Sequence, residues 1–286
     1  MVETIEDIVL DHDRRGISAL RPRLSPDFCT RAADLILDSP GTAFIVTGFY
    51  ILDAGAGETD GPPGAVVIGE GLAALGYKVI YVSDRYAVPQ IKQTIGDAAG
   101  VVEFPIASEE ESEEFAVDLL SQHSPSVLIA IERCGMTDEG KFRNMRGRDI
   151  TDYNAKTDFL FGPHDRTVGV GDGGNEIGMG NHADLVASTE QLVGKPCITR
   201  TTELVIASTS NWGGYGLVAA LSERSGRNVL ASVEREREIL ESFVDAGLVD
   251  GMTGRQEPMV DGFSQEENSA MVLRLHDYLE ARGIPA

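Results

Sequence analysis

Short apolar runs rich in β-branched residues alternate with longer stretches of helical spacing along most of the chain. Residues 43–51 (AFIVTGFYI), 78–83 (KVIYVS), 101–104 (VVEF) and 126–131 (SVLIAI) have the length and composition of buried strands. Between them, 63–76, 88–99 and 108–121 carry the period of helices. Further strands are predicted at 167–170 and 203–208, and helices at 214–224, 233–246 and 264–282. Ahead of the first strand, 3–13 and 26–37 predict a helical lead-in reaching residue 40, with Ser25 as N-cap and Pro26 in a first turn. Strand-helix alternation with near-continuous apolar strands predicts a parallel sheet covered on both faces. The expectation is one α/β domain over 1–286, doubly wound, mostly parallel and Rossmann-like, preceded by N-terminal helices. Its core runs over 41–286 and includes a late polar loop at 250–263.

In such a sheet, ligands bind beyond the carboxyl ends of the strands. Glu132 and Asp172 directly follow apolar strands, where an unpartnered carboxylate is costly to bury. They are candidates for proton transfer together with Glu176; the plainer alternative is that each caps a helix or pairs with a local arginine such as Arg133. Toward the end of the first strand stand Thr47 and Gly48, and after it Glu58, Thr59 and Asp60 immediately before Gly61-Pro-Pro-Gly. A proline-led helix start leaves first-turn amides facing an anion, although the Gly-Lys-Ser/Thr ending of a P-loop is missing. The alternative is a long turn whose acids only complement the helix dipole.

Residues 168–181 (VGVGDGGNEIGMGN) formally match a G-x-G-x-x-G fingerprint at Gly169, Gly171 and Gly174. A pyrophosphate there would meet Asp172 and Glu176, so nucleotide binding is not expected. Asp172, Asn175 and Glu176 are oxygen donors suited to Mg or Mn, and suited equally to a substrate ammonium. Ser210 and Asn211 either orient a polar ligand or cap the next helix. Arg255 in the late loop either holds a substrate carboxylate or is simply solvated. No histidine pair has zinc-ligand spacing and no G-x-S-x-G elbow occurs.

Charge narrows the partners. Against 46 acidic residues stand 24 basic ones, a net charge of -22 that disfavours nucleic acid and anionic membranes. Few of the basic residues are lysines, and an acidic, lysine-poor surface resembles that of proteins from salt-accumulating halophiles. Three cysteines without metal spacing and an acidic opening segment fit a reducing cytoplasm, with no secretory leader or membrane span expected. A small-molecule substrate is the expected partner, bound by a monomer or a homo-oligomer.

Several of these stretches together resemble the D-glutamate cyclase family: Thr47-Gly48-Phe49 with 57–64 (GETDGPPG), Glu132-Arg-Cys-Gly135, Gly140 with Asn144-Met-Arg-Gly147, 171–180 (GDGGNEIGMG) and Thr253-Gly-Arg255 with Glu257. The resemblance spans about residues 40 to 263. It implies conversion of D-glutamate to 5-oxo-D-proline and water; for that chemistry the residues offer Glu132 or Asp172 as base on the ammonium, Glu176 with Asn175 and Asp172 as metal-holding or general-acid groups, and Arg133 or Arg255 for a substrate carboxylate. Mitochondrial members add a domain resembling a hydro-lyase, with no counterpart expected in these residues. Two other classes remain open: a binding module for an amino acid or acidic metabolite, and a nucleotide-dependent enzyme.

Overall fold

The computed structural model describes residues 3–285. Six strands, β1 (Thr42–Thr47), β2 (Lys78–Ser83), β3 (Gly100–Glu103), β4 (Val127–Ile131), β5 (Thr167–Gly171) and β6 (Glu203–Ile206), form one parallel sheet in the order β3-β2-β1-β4-β5-β6. The chain adds strands outward from β1 in one direction, then returns to add β4, β5 and β6 in the other. Loops leaving β1 and β4 therefore diverge and open a crevice at this switch in strand order. The fold is α/β and Rossmann-like, as the alternation predicts.

The helices are α1 (Ile5–Val9), α2 (Phe28–Leu37), α3 (Pro62–Ala74), α4 (Val88–Ile95), α5 (Glu109–His123), α6 (Asp158–Phe161), α7 (Ala183–Ser188), α8 (Ser210–Ser225), α9 (Val233–Asp245) and α10 (Gln265–Glu280). Successive residues of β1 serve opposite layers: Ala43 and Ile45 join a core with α1, α2, α3, α8 and α10, while Phe44 and Val46 join one with α5 and α6. Both faces are thus apolar, which is why the strands read as continuous hydrophobic runs. Helix α8 is buried over its first thirteen residues. Its glycines permit close approach: a Cβ on Gly216 would lie 2.6 Å from Val9 of α1.

Several boundaries differ from expectation. The 43–51 run leaves the sheet at Thr47, because Gly48 takes φ +104° and the chain enters a small hairpin pairing Tyr50–Ile51 with Ala56–Gly57. The predicted 3–13 helix ends at Val9; Asp13 instead accepts backbone hydrogen bonds from Arg15, Gly16 and Ser18 and folds a tight loop. Helix α2 begins at Phe28 with Asp27, not Ser25, at its N-cap position. Helix α8 starts four residues before the predicted 214, capped by the Thr209 hydroxyl on the Trp212 amide. The late loop carries a second hairpin, Met259–Val260 with Phe263–Ser264.

Candidate active site

Glu132 is the first residue beyond β4 and sits at φ +42°, a conformation costing an ordinary side chain about 1–2 kcal/mol. Its Oε2 accepts the Ser210 hydroxyl at 2.5 Å, and the residue is 4% exposed. Across the switch point two helix starts face each other. Asp60 accepts from the Ser210 and Asn211 amides at 2.9 and 2.7 Å, placing a carboxyl at the positive end of α8. In return the Asn211 side chain accepts from the Gly61 and Gly64 amides, both at 2.9 Å, and donates to the Thr59 carbonyl. Gly61 takes φ +96°, and a Cβ there would fall 2.6 Å from Glu132 Cβ. The motif residues after β1 thus serve mainly to seat α3 and α8 against Glu132.

Beyond β5 the glycine-rich loop wraps around a carboxylate. Glu176 accepts from the Gly173 and Gly174 amides at 2.8 and 2.7 Å, which explains the small residues around it. Asp172 meets Arg15, whose Nη1 lies 2.7 Å from Asp172 Oδ1 and whose Nη2 lies 2.5 Å from Asp261 Oδ2. Asp172 Oδ2 and Asn175 Oδ1 are buried without a hydrogen-bond partner. Carboxylate oxygens of Glu132, Asp172 and Glu176 approach one another within 4.8 Å, as do those of Asp60, Asp172 and Asp261.

So many acids in one dry place shift one another. Burial, then the charges of Glu176, Asp60 and Glu58, holds the Glu132 carboxyl well above the ordinary range. Glu58 is raised in the same way by burial and by Asp261 and Asp60. Asp60 is pushed up to about 7, by burial first and Asp261 second, against the pull of the Asn211 and Ser210 amides. Asp172 is raised by burial, with Arg15 opposing.

A cavity of about 560 Å³ opens over this cluster, walled by Arg14, Arg15, Glu58, Glu132, Asn175 and the loops at 51–54, 144–146 and 251–254. Glu58 and Glu132 are the buried carboxyls in that wall. Asp172 and Glu176 are fully buried behind it.

Of the residues singled out in the sequence, Glu58, Asp60, Gly61, Glu132, Asp172, Asn175, Glu176, Ser210 and Asn211 come together. Thr47 lies against Gly61, and the Thr59 hydroxyl donates to the Met259 carbonyl, tying the late loop to the first. Arg133 is not free to hold a substrate. Its side chain is buried and spends its donors on Asp84, the Gly48 and Ala155 carbonyls and Thr157. Arg255 is exposed and lies outside the cavity wall, which is formed by its neighbours Gly251 to Gly254. The 53–64 loop offers no anion cradle at Gly61 and Gly64, since their amides are taken by Asn211. Sequence reasoning missed Arg14, Arg15 and Asp261; the signal was a pair of arginines in a segment otherwise acidic, hidden by extending the first helix to residue 13.

Comparison with known proteins follows this geometry. The profile of a family described as D-glutamate cyclase-like, C-terminal, matches residues 5–276. The human protein "D-glutamate cyclase, mitochondrial" is 29% identical over 334 aligned positions, covering 98% of this chain and 52% of that protein. The chain therefore spans about half the length of that curated relative. Among solved structures, an exopolyphosphatase-related protein from Bacteroides fragilis aligns with a TM-score of 0.42 at 11% identity, covering 91% of this chain and 58% of the other.

Proposed function

The chain belongs to the D-glutamate cyclase-like family, and on that premise we propose that it is a lyase closing D-glutamate to 5-oxo-D-proline with loss of water. The observation that carries this reading is the pair of raised carboxyls, Glu58 and Glu132, in the wall of one cavity. Lactam closure requires a neutral amine and a γ-carboxyl from which oxygen can depart as water. In this reading one of the two carboxyls is ionised and takes a proton from the substrate ammonium, and the other is protonated and gives one to the γ-carboxyl. The two protons lost from nitrogen end on the departing water. Holding amine and carboxyl together in a bent conformer supplies much of the rate.

Asp172 and Glu176, assigned proton transfer from the sequence, act from behind the wall in this reading. Asp172 holds Arg15, and Glu176 holds the glycine loop. Glu132→Gln is expected to lower turnover about 10²-fold or more with the fold retained. Full 5-oxoproline production by that variant would exclude the assignment.

A second reading is favoured by the orphaned oxygens Asp172 Oδ2 and Asn175 Oδ1 and by the 4.8 Å carboxylate group. Glu132, Asp172, Asn175 and Glu176 would hold Mg or Mn, which would supply Lewis-acid polarisation of the γ-carboxyl. Dialysis against EDTA separates the two: turnover that collapses and returns with Mn²⁺ selects the metal, and turnover that persists selects the carboxyl pair.

A further inference from the structure

With Arg133 buried and Arg255 outside the cavity, the residue that receives a substrate carboxylate has to be found elsewhere. Three arginines line the wall. Arg15 is already committed between Asp172 and Asp261, so its positive charge is more than balanced. Arg146 is bound to Asp53 at 3.1 Å, with Arg148 on the same carboxylate, and its side chain is 71% exposed.

Arg14 is different. Its guanidinium carbon lies over the Phe263 ring, 3.6 Å from the centroid, a cation–π contact that holds the group in place. A contact to the ring uses none of the N–H donors, which stay available to a ligand. The nearest carboxylate oxygen, on Glu267, is 3.6 Å away, beyond a good hydrogen bond. The ring beneath it belongs to the late hairpin and is itself packed on Trp212 of α8. Arg14 is therefore a half-exposed cation, held over an aromatic ring and only loosely paired with Glu267, in the wall of a cavity whose buried floor is acidic.

We propose that Arg14 is the specificity-determining residue of this cavity, receiving the α-carboxylate of an α-amino acid whose ammonium and side-chain carboxyl lie toward Glu58 and Glu132. The inference rests on the cyclase reading for its choice of D-glutamate as ligand. The acidic floor takes the substrate ammonium and the Arg14 guanidinium takes the α-carboxylate on the same carbon, which leaves the side-chain carboxyl to meet the protonated member of Glu58 and Glu132. The adjacent arginines divide the work: Arg15 neutralises the buried acids, and Arg14 faces the ligand.

The test pairs two variants, Arg14→Gln and Arg14→Lys, with two ligands, D-glutamate and 4-aminobutyrate, the second lacking the α-carboxylate. Binding is followed by calorimetry and 5-oxoproline is assayed separately. Arg14→Gln is expected to weaken D-glutamate about tenfold or more while leaving 4-aminobutyrate unchanged, with KM affected more than kcat. Arg14→Lys keeps charge without the planar fork and should fall between. Equal penalties on both ligands, no penalty on D-glutamate, or a wild-type protein that binds neither ligand would overturn the inference. Binding of D-glutamate that depends on Arg14 but yields no 5-oxoproline would leave it standing and remove the cyclase reading instead.

Discussion

Arg15 Nη1 and Asp172 Oδ1 meet at 2.7 Å although 157 positions separate them in the chain. The same guanidinium reaches Asp261 near the other terminus, so one side chain gathers three distant regions around the acid cluster. Burial alone would make these carboxylates costly, and Arg15 supplies the opposing charge. Replacing it with methionine should therefore lower stability by about 3–5 kcal/mol near neutral pH. The loss should shrink as pH falls and the stranded acids take up protons. Urea unfolding of Arg15→Met at pH 5 and pH 8 measures it, and an equal loss at both values would refute the assigned role.

Glu132 combines a positive φ with burial among like charges, two costs carried by one residue. Glu132→Gly should relieve the backbone by about 1 kcal/mol while abolishing turnover, whereas Glu132→Gln should lose turnover without that gain. Thermal melting of the two variants beside wild type checks the ordering.

Asp60 gives a pH dependence whose sign is fixed. Its folded value of about 7 lies above the ordinary 3.8, so the folded protein retains a proton that the unfolded chain releases. This stabilisation is complete below about pH 4 and is lost as pH rises toward 7, and Glu58 and Glu132 act in the same direction. Asp60→Asn should flatten the decline by on the order of a few kcal/mol between pH 4 and 8. An unchanged slope in chemical denaturation would show that Asp60 is ionised throughout.

Net charge yields a separate expectation. At -22 the folded chain repels itself, and dense salt screens that repulsion. The melting temperature should climb steadily as KCl is raised from 0.1 M into the molar range. A flat profile would mean that local pairs such as Arg235–Glu70 and Arg224–Asp34 already balance the surface.

The sheet was readable because its strands, apart from the partly exposed edge strand β3, are buried on both faces and are separated by crossover helices. Motif residues at the strand ends were readable for the same reason, since Glu132 and Asp172 interrupt apolar runs at the point where a strand must stop. Roles were harder to read than positions. Nothing local marks Arg133 as locked inside, because its partners Asp84, Ala155 and Thr157 arrive from other loops. Arg14 and Arg15 were hidden by a helical period that continues past Val9, and only the Asp13 turn reveals where the chain departs. No helix among the described residues is long and apolar enough to cross a membrane.

The wide spacing of Arg15, Asp172 and Asp261 also bears on biosynthesis. A ribosome must deliver more than 260 residues before the last of these acids can meet its cation, so the pocket floor closes late. Until then the emerging acids stay in water, where their charge costs little. An arrested or prematurely terminated product would therefore be expected to display an assembled β-sheet beneath an open, hydrated acid cluster.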